Sequence, residues 1–214
     1  MRVVLLPGLR GDTREFAPLL ERLPGARAYR LPMIDADRLS DIAAALPDLR
    51  DVDVLIGASF GGLVARALVA EGGTNARLVL LGALPHPVPP PAARRCAWLG
   101  RIVPQLPSPL YRSLYARRAA REWAEDTDVP WIPDLPPAAI LGARLRAIAR
   151  WGLPPLPRGS ICIWGARDRF VTWTADDVWT WGGVPVPLDA GHRPHLSRPD
   201  EVIHVIPTVR DPLA

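Results

Sequence analysis

The chain reads as an α/β fold organised on a mostly parallel sheet, and three observations predict this. Short apolar runs rich in Val, Leu and Ile alternate with stretches whose apolar residues recur at helical spacing. The alternation breaks once and then resumes, so an insertion interrupts one repeating architecture rather than a second domain following it. The pentapeptide Gly57-Ala58-Ser59-Phe60-Gly61 directly follows one such apolar run and leads into a helix-like stretch, which marks a sharp strand-to-helix turn.

Arg2 to Leu6 predicts a buried first strand, ended by Pro7 and Gly8. Asp12 and Glu15 form a capping-box pattern ahead of Phe16, Leu19, Leu20 and Leu23 at helical spacing. A short second strand falls near Ala26 to Leu31, and Leu39, Ile42, Ala43 and Leu46 form the face of the next helix. Val52 to Ile56 is a strand, Gly62 to Glu71 a helix, and Arg77 to Leu81 another strand. After residue 157 the alternation resumes with a strand at Ile161 to Trp164, a helix around Ala175 to Trp181, a strand at Val184 to Leu188 and a helix starting near Pro199, a residue suited to the first helical position.

Between these halves the composition changes. Residues 86–157 hold 14 of the 26 prolines, crowded at Pro87, Pro89, Pro90 and Pro91, which predicts short helices with kinked joints. The expected division is therefore a core of residues 1–85 and 158–214 with a helical insertion over 86–157. All 26 cationic side chains are arginine, and the net charge of +4 resolves into +5 in the insertion and −1 elsewhere. GC-rich coding explains arginine without lysine, and no basic run with interleaved aromatics suggests a nucleic-acid partner. Cys96 and Cys162 are too few for a disulfide framework and lack the spacing of a zinc site, which fits a reducing cytoplasm. The apolar run after Arg2 is too short for a signal peptide, and no run nears the ~20 residues needed to cross a bilayer.

A serine between two glycines on such a turn is a nucleophile candidate, because the strained serine backbone leaves room only for glycine on either side. A hydroxyl is a weak nucleophile and needs a base held in the right tautomer by a third group. Asp168 and His192 supply both, in the chain order Ser, Asp, His. Each lies just beyond the carboxyl end of an expected parallel strand, so the three would meet on one edge. His195 rivals His192 within one loop, and Asp189 rivals Asp168; the Gly191-His192 step favours His192, and the closeness of Asp189 to His192 in sequence argues against its approach from another strand. His204 reads as a packed or surface helix residue, His86 as a hinge at the start of the insertion, and Asp176 and Asp177 as polar helix residues. Trp98, Trp123, Trp131 and Trp151 either fill a small core of the insertion or line an apolar acyl pocket.

With Leu5-Leu6-Pro7-Gly8-Leu9, Gly57 to Gly61, Gly165-Ala166-Arg167-Asp168, and Gly191-His192 followed by Pro199, the chain resembles the α/β-hydrolases, specifically their small esterase and thioesterase-like members with a helical cap. The resemblance covers the chain outside the insertion. It departs at Pro7, where the family commonly has histidine, and in the first two strands, which are missing here and leave about six. What it implies is a cofactor-independent serine hydrolase of a carboxylic ester or thioester, with backbone N–H groups of Leu9 and Phe60 facing the oxyanion and residues 86–157 acting as a cap, whose proline-rich joints near Pro85 to Pro91 and Pro154 to Pro157 predict movement as a unit. The same resemblance admits lyase, haloperoxidase or perhydrolase chemistry, or a non-catalytic ligand-binding protein. A rim of Arg94, Arg95, Arg117, Arg118 and Arg121 would attract an anionic substrate or carrier such as an acyl carrier protein.

Overall fold

The computed structural model describes residues 1–86, 89, 93–124, 126–127, 134–170 and 173–206. Its strands are β1 (Val3–Leu6), β2 (Arg27–Ala28), β3 (Val54–Ala58), β4 (Arg77–Leu81), β5 (Ser160–Gly165) and β6 (Gly183–Leu188). They form a single six-stranded sheet in the order β2-β1-β3-β4-β5-β6, parallel at every pairing, as the alternating pattern predicts. A parallel sheet carries helices on both faces, so its strands must be apolar throughout, and β1 and β3 are buried at every residue.

The two-residue period sorts these side chains into two cores. Val4, Leu6, Leu55, Leu78 and Leu80 face one way, under α2 (Leu39–Ala44) and α3 (Phe60–Ala70). Val3, Leu5, Val54, Ile56 and Val79 face the other, against Phe16, Leu19 of α1 (Ala17–Arg22) and Val202 of α9 (Pro199–Val205). Each fully buried aliphatic side chain contributes about 1.5–3 kcal/mol, so both layers hold the sheet. The chain passes from β1 outward to β2 and returns to place β3 on the other flank of β1. That reversal opens a crevice at the carboxyl ends of β1 and β3, where open α/β sheets bind ligands.

Several expectations change in detail. The Asp12–Glu15 capping box does not form: Asp12 accepts from the Arg14 N–H at 3.1 Å, the turn Thr13–Phe16 is 3-10, and Glu15 points elsewhere. The second strand shrinks to two residues at the sheet edge, and a short helix α8 (Pro194–Ser197) precedes α9. Between β4 and β5 lie α4 (Arg94–Ile102), α5 (Ser108–Ala124) and α6 (Ala138–Ile148). With 17 residues α5 is not short. Its prolines stop at Pro109, and the Ala-, Arg- and Leu-rich stretch beyond propagates the helix. Tyr111, Leu141 and Leu145 form a small apolar cluster of this segment, joined at its margin by Leu9 from the loop after β1. No helix among the described residues is long and apolar enough to cross a membrane.

Candidate active site

The site begins with a steric conflict between β3 and α3. Ser59 has φ 48° and ψ −115°, and among the described residues only it has positive φ without being glycine. Such strain persists only where the surroundings force it. The two flanking glycines show how. A Cβ on Gly57 would stand 2.5 Å from the Gly62 Cα, and one on Gly61 would collide with the carbonyl oxygens of Leu6 and Pro7. The glycine spacing is therefore the imprint of the helix start on one side and the β1 loop on the other.

The carboxyl ends of β5 and β6 bring the partners. His192 Nε2 lies 3.0 Å from Ser59 Oγ, and its Nδ1 lies 2.7 Å from Asp168 Oδ2. The other Asp168 oxygen accepts the Phe170 N–H at 2.7 Å, and the Phe170 ring meets the imidazole edge-on at 5.2 Å. His192 is 8% and Asp168 7% exposed. A hydroxyl, an imidazole and a carboxylate in this chain can pass a proton from oxygen to nitrogen while the carboxylate holds the charged ring.

The rivals separate clearly. Asp189 is exposed and pairs with Arg167 at 3.0 Å and Arg198 at 3.5 Å. His195 is buried with its Nε2 3.8 Å from Glu15 Oε2, against the Phe16 ring. His86 packs on Trp181 at 3.9 Å, His204 is exposed on α9, and Asp177 caps α7 (Ala175–Thr180) through Thr174.

Sequence reasoning missed Glu15, Gly82 and Asp126. Glu15 Oε1 accepts the Gly8 N–H at 2.6 Å and so fixes the loop carrying Leu9. Burial alone would raise its carboxyl, but His195, Arg193 and the Gly8 N–H outweigh that and hold it below the usual carboxylate range. Gly82, at φ 53°, leaves room for the His192 carbonyl oxygen. Asp126, just beyond α5, grips the backbone around His192. Nothing distinguishes it in a polar Glu-Asp-Thr-Asp run; only Gly191 hinted that something approaches closely there.

A cavity of about 610 Å³ opens over Ser59. Leu63, Leu84, Leu99, Leu141, Leu145 and Ile148 make it apolar, and Leu9 and Phe60 line it beside the serine. Arg10 and Arg118, each 2.7 Å from Glu122, border it with Arg95 and Arg169. Burial would raise the Glu122 carboxyl, but Arg10, Arg118 and Arg193 hold it below the usual range. No described tryptophan lines the cavity: Trp123 and Trp151 are buried elsewhere, Trp98 is exposed, and Trp131 lies outside the described residues. The Arg94 side chain is outside them too. Among the described residues no group of His, Cys, Asp and Glu could hold a metal ion.

The model of the alpha/beta hydrolase family matches residues 3–205. A thermophilic esterase from Thermogutta terrifontis is similar in structure, with TM-score 0.74 and 19% identity over 95% of this chain and 87% of that one. The RedJ thioesterase from the prodiginine biosynthetic pathway in Streptomyces coelicolor has TM-score 0.62 and 21% identity over 96% and 88%. The bottromycin epimerase BotH has TM-score 0.69 and 20% identity over 94% and 87%. At these identities the likeness is one of fold. None of the curated proteins matches this chain.

Proposed function

Because the chain belongs to the alpha/beta hydrolase family, we propose that it is a serine hydrolase that cleaves a carboxylic ester or thioester through an acyl-enzyme. One observation carries this reading: Ser59 Oγ, His192 and Asp168 form a continuous relay with gaps of 3.0 and 2.7 Å. Asp168 keeps the His192 proton on Nδ1, which leaves Nε2 free to accept the Ser59 proton as Oγ attacks the acyl carbon. The tetrahedral intermediate places its oxyanion toward the N–H groups of Leu9 and Phe60, where main-chain donors already in position stabilise charge without reorganising. His192 then returns the proton to the leaving alcohol or thiol. In the second half it deprotonates water, which attacks the acyl-enzyme and frees the acid and Ser59.

Residues 86–157 act in this reading as a cap whose apolar inner wall takes the acyl chain. Arginines at the cavity border suit an acyl group that is anionic or borne on an anionic carrier. The fold alone does not fix the reaction, since an epimerase shares it. The discriminating experiment is labelling with a fluorophosphonate, followed by a p-nitrophenyl ester series of increasing chain length with a thioester alongside. Ser59 is expected to label, and Ser59→Ala and His192→Ala to lose at least about 10⁴-fold in kcat. An unlabelled Ser59 overturns the hydrolase reading in favour of a binding protein. If His195→Ala, rather than His192→Ala, abolishes turnover, the base is misassigned.

A further inference from the structure

We infer that Asp126 is a positioning residue through which the cap holds His192 in register with Ser59, an inference that rests on the Ser59–His192–Asp168 reading. Its carboxylate spans the backbone of the base: Oδ1 accepts the Gly191 N–H and Oδ2 the Arg193 N–H, both at 2.8 Å, so the residues before and after His192 are gripped by one side chain. Ser197 Oγ, from α8, donates to Oδ1 at 3.2 Å. Asp126 is 6% exposed and is itself fixed by its N–H donating to the Trp123 carbonyl at 3.0 Å, at the end of α5. The bond is made across 65 residues of sequence, from the segment between β4 and β5 to the loop after β6.

Asp168 orients the imidazole from its Nδ1 side but makes no bond to the amides on either side of His192, while backbone bonds hold the loop at Ala190 and Arg193. A carboxylate bound to both flanking amides fixes the position of His192 between those points, because displacing the residue stretches the two bonds together. Gly191 fits the same account. A Cβ there would stand 2.8 Å from Asp126 Oδ1, so glycine at this position is what lets the carboxylate approach. Arg193 adds a second tie to the same segment by donating to the Glu122 carbonyl at 3.0 Å. The cap thereby acts on the proton relay as well as on the acyl chain.

The test compares Asp126→Asn, Gly191→Ala and Ser59→Ala by steady-state turnover of one short acyl ester, by fluorophosphonate labelling rate, and by the downfield NMR signal of the His192 Nδ1 proton. An amide cannot accept from both N–H groups, so Asp126→Asn is expected to lower kcat and the labelling rate roughly 10- to 100-fold, the scale of a small misplacement of catalytic groups. KM should change little, and the Nδ1 proton signal should shift or broaden. Gly191→Ala should reproduce this pattern. A variant that melts earlier yet keeps the wild-type kcat, labelling rate and proton signal makes Asp126 a structural staple and overturns the inference. Activity surviving in Ser59→Ala would instead overturn the underlying reading. Should neither variant fold, hydrogen exchange on the wild-type protein decides: Gly191 and Arg193 amides are expected to be protected, and exchange at the rate of open loop amides rejects the grip.

Discussion

Glu15 shows how one side chain can set the path of the loop that carries Leu9. It accepts the Gly8 N–H at 2.6 Å, while the Gly8 carbonyl accepts the Gly11 N–H at 2.9 Å. The peptide joining Gly8 to Leu9 is thus anchored at its oxygen, and its N–H points the opposite way. Glu15 has a carboxyl pKa below its ordinary 4.5: burial raises it, and His195, the Arg193 guanidinium and the Gly8 N–H beside it outweigh burial. Since the folded protein binds this proton less readily than the unfolded chain, the stabilisation is complete above pH ~4.5 and fades as pH falls through the lower folded value. Glu15→Gln is expected to cost about 1–3 kcal/mol at neutral pH, and the gap to wild type should narrow on acidification in urea melts taken at stepped pH. A gap that stays constant down to pH ~3 would reject a charged Glu15 as the source. The sequence offers Glu15 as a capping residue, three positions after Asp12, because that spacing looks the same whether the carboxylate turns back to its own helix or outward. The Gly8 N–H, freed by the loop, competes for it and wins. Ser59 was legible for the opposite reason: its glycines record backbone collisions, and backbone collisions depend on local chain path.

At the scale of elements, α6 is tied to the loop after β1 by a single buried arginine. Arg144, 1% exposed, donates to the Leu9 carbonyl at 2.8 Å and to the Pro32 and Leu31 carbonyls at 3.0 and 3.3 Å. Burial depresses its pKa to about 10, so it remains cationic at neutral pH. It has carbonyl dipoles for partners, and its planar fork reaches three of them from one position, which an ammonium on a single flexible stem cannot do. Arg144→Lys is therefore expected to cost about 1–3 kcal/mol, or roughly 2–4 °C in Tm for each kcal/mol, read by thermal melting. A melting point unchanged from wild type would show that lysine satisfies the same carbonyls. From sequence this stretch is only one of the short helices expected between prolines, and Arg144 looks there like any solvent-facing arginine. Its burial comes from the docking of α6 on the loop, a long-range fact. The same limit hides the length of α5, since proline density over a whole segment says little about a proline-free run inside it, and hides the pairing of Asp126 with the His192 loop.

The whole molecule separates its charge. The segment of residues 86–157 carries +5 and the remainder −1, yet the cavity takes arginines from both, Arg95 and Arg118 from the segment and Arg10, Arg169 and Arg193 from outside it. Arginines of the two parts divide by partner. Arg146 and Arg150 face Asp35 and Asp37 across to the core, at 3.4 and 2.6 Å, and Arg118 is engaged with Glu122. Arg95 and Arg169, both exposed, border the cavity. Surface pairs of this kind contribute at most about 1 kcal/mol each, and exposed arginines cost little to redirect toward a ligand. The layers, the strand order and the convergence of Ser59, Asp168 and His192 were legible because apolar periodicity and parallel topology place all three loops on one edge. The charge field was legible in amount and hidden in arrangement, which pairing across the fold decides. If Arg95 and Arg169 steer substrate, kcat/KM for an acyl ester bearing a distal carboxylate should fall roughly 10-fold between about 0.01 and 1 M salt, as the screening length contracts from roughly 30 to 3 Å. A neutral ester of the same length should hold nearly constant, and Arg95→Ala combined with Arg169→Ala should remove most of the anionic substrate's salt dependence while leaving the neutral substrate unaffected. Equal salt responses for the two esters would mean that the arginine excess serves docking and composition, and that the cavity over Ser59 selects by shape.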